Sequence, residues 1–425
     1  MKYNELKDYI NSNKIDSILK QIICDDDISN EKKRYLSLLD EAYQMYGDGD
    51  YHFISSPGRS EIGGNHTDHQ HGHVVAAGLS IDNVCVVKAN DTSVVNYKDR
   101  AFKENHVDIS DLSIHQDEVN TTESLIRGIA FRLNELGHKI GGFDALCESK
   151  VLVGSGISSS ACFEVMMVEI FNALFNNDVV TPVDRAIIGQ FAENKYFGKP
   201  SGLMDQMAIS VGGFVAIDFN DPNKPVINNY EFSFSDNGYE LVLVNTKGDH
   251  ADLSHEYAAV PNEIKEVGKQ LGVDYLADSS MDTLLANIKD IRETVKNDRA
   301  LLRAFHFYNE DKRAVLEAEA CKNKDIDALL KLMNESGRSS YEYLQNVYPA
   351  SRPTSQALAV GLALSDYYLK GKGAYRVHGG GFDGTIQVVV PKDMLDGYKK
   401  FISSVFGDDA LLQVRVRPFG TKLVI

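Results

Sequence analysis

No apolar run in this chain approaches the roughly 18 residues of a membrane span. Its start, Met-Lys-Tyr-Asn-Glu-Leu-Lys-Asp, is polar and acidic, without the apolar stretch of a targeting signal. A cytoplasmic location is therefore expected. Cysteine is scarce: Cys24, Cys85, Cys147, Cys162 and Cys321 are scattered, odd in number and free of Cys-x-x-Cys spacing, which argues against a disulfide framework or a thiolate zinc site. Positive charge is in deficit, with 44 Lys and Arg against 61 Asp and Glu for a net −17, so nucleic acid and anionic membranes are not expected partners. With 10 Pro and 33 Gly in 425 residues, and no internal repeat or low-complexity tract, disorder and collagen-like repetition are excluded as well.

What remains is a globular chain, 43% hydrophobic and 25% charged, long enough for two or three domains at roughly 100–200 residues each. Residues 1–50 read as a helical extension broken at Asp25-Asp26-Asp27. Strands are expected at Val84-Cys85-Val86-Val87, Val94-Val95 and Val151-Leu152-Val153. Leu125, Ile129, Leu133 and Leu136 recur at helical spacing before Gly137, and residues 161–175 are apolar on nearly every side, as in a buried helix. Strand patterning returns at residues 213–218 and 241–244; the turn cluster Asn220-Asp221-Pro222-Asn223 between them is read as a domain boundary. Residues 260–345 are mostly helical, and strands close the chain. The expected fold class is α+β, with domains at 51–219 and 220–425 following the extension.

Three polar constellations carry chemistry. The first is Gly154-Ser155-Gly156-Ile157-Ser158-Ser159-Ser160, a glycine-rich turn ahead of the buried helix. Backbone N–H groups and a helix dipole at such a turn suit a phosphate. No Gly-Lys-Ser/Thr follows, so it is not a Walker loop. A tight connection with capping serines is the plainer reading, but three consecutive hydroxyls exceed what a cap needs. The second runs from Gly58 to Gly72 through Arg59, Asn65, His66, Thr67, Asp68 and His69; short polar side chains on glycine-hinged backbone suit a polyol, and a histidine metal site is the weaker alternative. The third, residues 193–206, sets Glu193 near a helix end and Asp205 after a Gly/Pro/Ser turn.

Together these segments resemble the galactokinase, homoserine kinase, mevalonate kinase and phosphomevalonate kinase (GHMP) superfamily, and within it the galactokinases. Residues 58–72 are similar to Gly-Arg-x-Asn-Leu-Ile-Gly-Glu-His-Thr-Asp-Tyr-x-x-Gly, residues 154–161 to Gly-x-Gly-Leu-Ser-Ser-Ser-Ala, and residues 192–206 to Ala-Glu-Asn-x-x-x-Gly-x-x-x-Gly-x-Met-Asp-Gln. A glycine motif at residues 376–384, and Arg303, His306, Glu310 and Arg313, also look like galactokinase features. The resemblance implies a two-domain GHMP kinase fold with the site between domains, and an ATP-dependent sugar 1-kinase acting on galactose. It makes Gly154 to Ser160 the ATP cradle, Ser160 and Glu193 the Mg²⁺ holders, Asp205 the base and Arg59 the stabiliser of developing oxygen charge. Asn65, His66, Thr67, Asp68 and Tyr257 become sugar contacts, and residues 379–381 pack on the nucleotide loop. A monomer or weak homodimer is implied. Asn65 stands where the family carries Glu, and His69 where it carries Tyr. A kinase for another sugar (galacturonate, an N-acetylhexosamine or arabinose) and a non-catalytic sugar and ATP sensor are therefore the competing readings.

Overall fold

The fold is known from a computed structural model that describes residues 1–151, 156–248 and 253–425. Three helices, α1 (Tyr3–Asn11), α2 (Asp16–Ile23) and α3 (Ser29–Tyr46), open the chain, with the break between α2 and α3 at the expected aspartates. Strands β1 (His52–Gly63), β2 (His73–Ala89), β3 (Val94–Asp99) and β4 (Asn105–Asp108) follow, then helix α4 (Thr122–Glu135) and strand β5 (Phe143–Ser149). Thr121 caps α4 through the Ser124 amide, and Gly137 takes up the positive φ expected of it. The strand ahead of the first glycine loop is thus β5; Val151 lies beyond it, and Leu152 and Val153 fall outside the described residues.

Next come α5 (Ser159–Phe175), α6 (Pro182–Ala192), α7 (Met204–Val211), β6 (Phe214–Asp218) and β7 (Val226–Tyr230). Strands β12 (Lys422–Leu423), β1, β2, β5, β3 and β4 form one sheet in that order, with β6 on the other half of the long β2 and β7 beyond β6. Period-two alternation gives this sheet two apolar faces. Phe53, Val84, Val86 and Leu146 point one way and are covered by α1 to α3. Ile54, Cys85, Val87, Ala145 and Cys147 point the other way, onto α4, α5 and α6.

The remainder comprises β8 (Tyr239–Asn245), α8 (Ser254–Leu271), α9 (Met281–Val295), α10 (Asp298–Asn323), α11 (Ile326–Ser339), α12 (Ala357–Leu369), β9 (Ala374–Val377), β10 (Thr385–Pro391), α13 (Leu395–Phe406) and β11 (Leu411–Val414). A second sheet runs β11, β8, β10, β9. Val242, Val244, Ile386 and Val388 pack against α12 and α13. Leu241, Leu243 and Val389 face the other way, into a core shared with Val75, Ala77, Ile157 and Ala161 of the first half.

The boundary read at residues 219–220 needs correction. Residues 219–225 form the hairpin turn between β6 and β7, which pair antiparallel, so the first sheet continues to Tyr230. That sheet also takes back β12 from the C-terminus. Asn, Asp and Pro mark any tight turn, and here the turn joins two strands of one sheet.

Candidate functional site

Arg59 reaches its position through an irregularity in β1: the pairing with β2 shifts between Pro57 and Arg59. The Arg59 amide donates to the Ile157 carbonyl at 3.2 Å, so the glycine loop lies across this kink. A Cβ at Gly58 would stand 3.2 Å from that same carbonyl, which is why the smallest residue occupies the crossing. Asp205, at the start of α7, meets Arg59 face to face: Nε donates to Oδ1 at 2.6 Å and a terminal nitrogen to Oδ2 at 3.0 Å. The remaining terminal nitrogen donates to the Gly156 carbonyl at 2.6 Å, and the Ser158 hydroxyl donates to Asp205 Oδ2. Burial alone would raise the Asp205 pKa; the Arg59 charge and the Arg59 and Ser158 hydrogen bonds outweigh it and hold the carboxyl below its usual range. Asp205 is therefore ionised at neutral pH, with a third of its side chain open to the cleft.

Ser158 precedes α5 as its N-cap residue with a positive φ of 60°, and Ser159 and Ser160 open the helix's first turn, where backbone amides lack intrahelical partners. Gly154 and Ser155 lie outside the described residues. Glu193 follows the end of α6 in a π-helical turn, residues 193–197, closed by Gly198 at φ 89°. Ser201 and Gln206 donate to Glu193 Oε2 at 2.5 and 3.0 Å. Oε1 receives the Lys199 ammonium at 2.9 Å and lies 3.5 Å from the Ser160 hydroxyl. Gln206 also donates to the fully buried Glu164, whose pKa is driven up by burial and by the Glu193 charge. A neutral Glu164 avoids a second buried negative charge beside Glu193.

Arg59, Asp205, Lys199 and the three serines line one cavity of about 360 Å³ together with Leu253, Tyr257, His378, Gly380, Gly381 and Asp383. The loop after β9 forms its far wall. A Cβ at Gly379 would lie 3.3 Å from Arg59 and 3.7 Å from the Gly156 carbonyl, so this loop packs on the glycine loop, as the sequence implies. The Tyr257 ring covers Gly380, and its hydroxyl donates to the Gly381 carbonyl at 2.9 Å.

The expected sugar contacts divide into two groups. His66 and Asp68 stay near the cleft loops. The His66 Nε2 proton goes to the Gly380 carbonyl at 3.1 Å, which leaves Nδ1 as an acceptor with no protein partner. Burial, then the nearby His69, pushes the His66 pKa down to about 3, so the ring is neutral. Asp68 reaches the 201–202 turn: a Cβ at Gly202 would lie 1.7 Å from Oδ2, so a larger residue there would push the Asp68 carboxylate away. Asn65 and Thr67 are fully buried beneath the cleft instead. The Asn65 amide donates to Glu61 and to the Gly379 carbonyl, both at 2.8 Å, and its carbonyl accepts from Ser340 and Asn346 at 3.1 and 2.9 Å. Thr67 donates to the Gly64 and His73 carbonyls and closes the turn. Their side chains brace the loop, which corrects the contact role read for them.

The helix α10 residues singled out by sequence hold that loop from behind. Glu310 accepts from the Gly64 and Asn65 amides at 3.1 and 3.2 Å, and His306 donates to the Asn65 carbonyl at 2.9 Å. The sequence reading gave no role to Lys199, Glu164 or Gln206. Lys199 and Gln206 lie inside the third segment, and Glu164 one turn past the serines, so spacing alone could have put all three near the site.

Residues 124–213 match the GHMP kinases N terminal domain, and residues 43–89 the galactokinase galactose-binding signature. Among curated proteins, the chain is 27% identical to a galactokinase of Clostridium tetani, over 86% of this chain and 90% of that one. It is 28% identical to a galactokinase of Lactobacillus helveticus, over 83% and 89%. Among solved structures, Lactococcus lactis galactokinase complexed with galactose superposes with a TM-score of 0.78 at 23% identity, covering 91% of this chain and 99% of that one. Methanococcus jannaschii mevalonate kinase follows at 0.61 and 15%, covering 87% and 99%.

Proposed function

We propose that this chain is a GHMP kinase that transfers the terminal phosphoryl group of ATP to the anomeric hydroxyl of galactose. The single observation that supports this most is the Arg59–Asp205 pair, an ionised carboxylate locked to a guanidinium at the mouth of a serine-rich helix start. Phosphoryl transfer demands in-line positioning and neutralised oxygen charge more than covalent help. The sugar's O1 attacks the γ-phosphorus, the bond to the β,γ-bridging oxygen breaks, and the O1 proton passes to Asp205. Arg59 orients that carboxylate and offsets negative charge as it develops. The first turn of α5 presents amides and the Ser159 and Ser160 hydroxyls to the phosphates.

Ser160 and Glu193 are the residues that would hold Mg²⁺. The donor set fits: a hydroxyl and a carboxylate oxygen, both hard, lie 3.5 Å apart, with the other carboxylate oxygen already fixed by Ser201 and Gln206. Among the described residues no group of three or more His, Cys, Asp or Glu is placed to hold a metal. Bound by Ser160 and Glu193, the ion would neutralise phosphate charge. On the sugar side, Asp68 and the bare His66 Nδ1 supply acceptors for hydroxyls, beside Tyr257.

A different sugar is the second reading, and the burial of Asn65 is what favours it. The carboxylate that galactokinases carry at this position is missing, and Glu61 does not replace it, because Glu61 is buried against Arg376 at 2.6 Å. Incubation with ATP and a mixture of hexoses, pentoses and uronates, read by ³¹P and ¹³C NMR, separates the readings. Galactose 1-phosphate as the main product is the expected result; another sugar's 1-phosphate would select the second reading, and no ATP consumption would defeat both.

A further inference from the structure

Resting on the kinase reading, we propose that Lys199 is a catalytic residue of this chain. Its ammonium holds the place of the divalent cation on Glu193 before nucleotide binds, and turns to the transferring phosphoryl oxygens once it has bound. The argument begins with the cleft's charges. Its described walls carry the carboxylates of Asp205 and Asp383 and only two cations, Arg59 and Lys199, with the buried Glu193 carboxylate directly behind Lys199. Every nitrogen of Arg59 is engaged, two by Asp205 and one by the Gly156 carbonyl. Three of the five N–H donors of Arg59 are thus committed, and the two left over sit on nitrogens already held by Asp205 and Gly156, so Arg59 is a cation fixed in place.

Lys199 differs on each point. It has three ammonium donors, of which a single one is engaged, by Glu193 Oε1. Its side chain is 58% exposed while its partner Glu193 is 3% exposed, so one end of the pair is fixed and the other can move. The oxygen it occupies is the one facing Ser160; the other is taken by Ser201 and Gln206. A cation held by Ser160 and Glu193 would compete with the ammonium for that oxygen, two positive charges being set against one carboxylate.

The backbone favours a short swing. Gly198 adopts φ 89°, and the Lys199 amide donates to the Glu193 carbonyl at 3.1 Å, so the Cα is anchored while the flexible stem pivots over Ser160 and Asp205. Once nucleotide is bound, the phosphoryl oxygens offer a displaced ammonium in this cleft charge-assisted hydrogen bonds.

The test uses the full-length protein and two variants, Lys199→Met and Lys199→Arg. Mn²⁺ binding to the nucleotide-free protein is followed by electron paramagnetic resonance, and turnover is measured with ATP and galactose. Lys199→Met should bind Mn²⁺ about tenfold more tightly, because a competing cation is gone, yet lose about 100-fold in kcat. Lys199→Arg should recover part of kcat. A merely structural lysine would not tighten metal binding while slowing turnover. Unchanged or weaker Mn²⁺ binding, or full kcat in Lys199→Met, overturns the proposal and leaves the kinase reading intact. If the wild-type protein phosphorylates no sugar, the kinase reading fails, and the Mn²⁺ comparison alone decides whether Lys199 occupies the cation's place.

Discussion

Arg59 and Asp205 define each other. Without the guanidinium, burial is left as the main influence on the Asp205 carboxyl, and burial raises its pKa. The working form is the carboxylate, so Arg59→Met should move the acid limb of the kcat/KM profile to higher pH, besides lowering kcat by about 10²- to 10³-fold at the optimum. A pH-rate series on both proteins checks this; an acid limb that stays put would separate Arg59 from the base. Both residues could be found in the sequence because their motifs fix them by spacing. Asn65 could not be placed that way: a motif position does not tell whether a side chain faces ligand or protein. Its burial follows from partners far along the chain, Ser340, Asn346 and the Gly379 carbonyl. Glu317 is a similar case, a fully buried carboxyl whose oxygens have no hydrogen-bond partner and whose space exists only because position 63 is glycine.

Among the elements, α1 to α3 have the plainest physical task. They cover a sheet face that would otherwise expose Phe53, Val84, Val86 and Leu146, and the Tyr35 ring packs tilted against Phe53 with ring centroids 4.6 Å apart. Leu38 is fully buried in that layer, distant in role from the cleft. Leu38→Ala should therefore cost about 2–5 kcal/mol of stability with kcat unchanged, as read by urea unfolding and steady-state kinetics. A loss of kcat in fully folded protein would show that these helices also shape the site. Helicity in this extension, and the polar break at Asp25 to Asp27, were legible from pattern. The hairpin at residues 219–225 was not read as one, since turn residues look alike whether they join two strands or two domains. The length of β2, which serves β5 with one half and β6 with the other, was likewise hidden by glycine at position 78 and polar residues at 80, 82 and 83.

Taken whole, the molecule brings together segments separated by more than 300 residues in sequence, from Arg59 to His378 and Gly380. The shared core of Val75, Ala77, Ile157, Ala161, Leu241 and Val389 clamps the two sheets and fixes the cleft between them. Order and spacing of motifs predicted this convergence, because each glycine-rich stretch marks a close backbone approach; they could not supply the bracing behind it from α10. The central claim is that Asp205 receives the proton of the attacking sugar hydroxyl. Asp205→Asn tests it most directly, with turnover followed by ATP consumption and galactose binding by calorimetry on the same preparation. The account predicts a fall in kcat of about 10³-fold or more with galactose affinity changed by less than about threefold; turnover at the wild-type rate would contradict it.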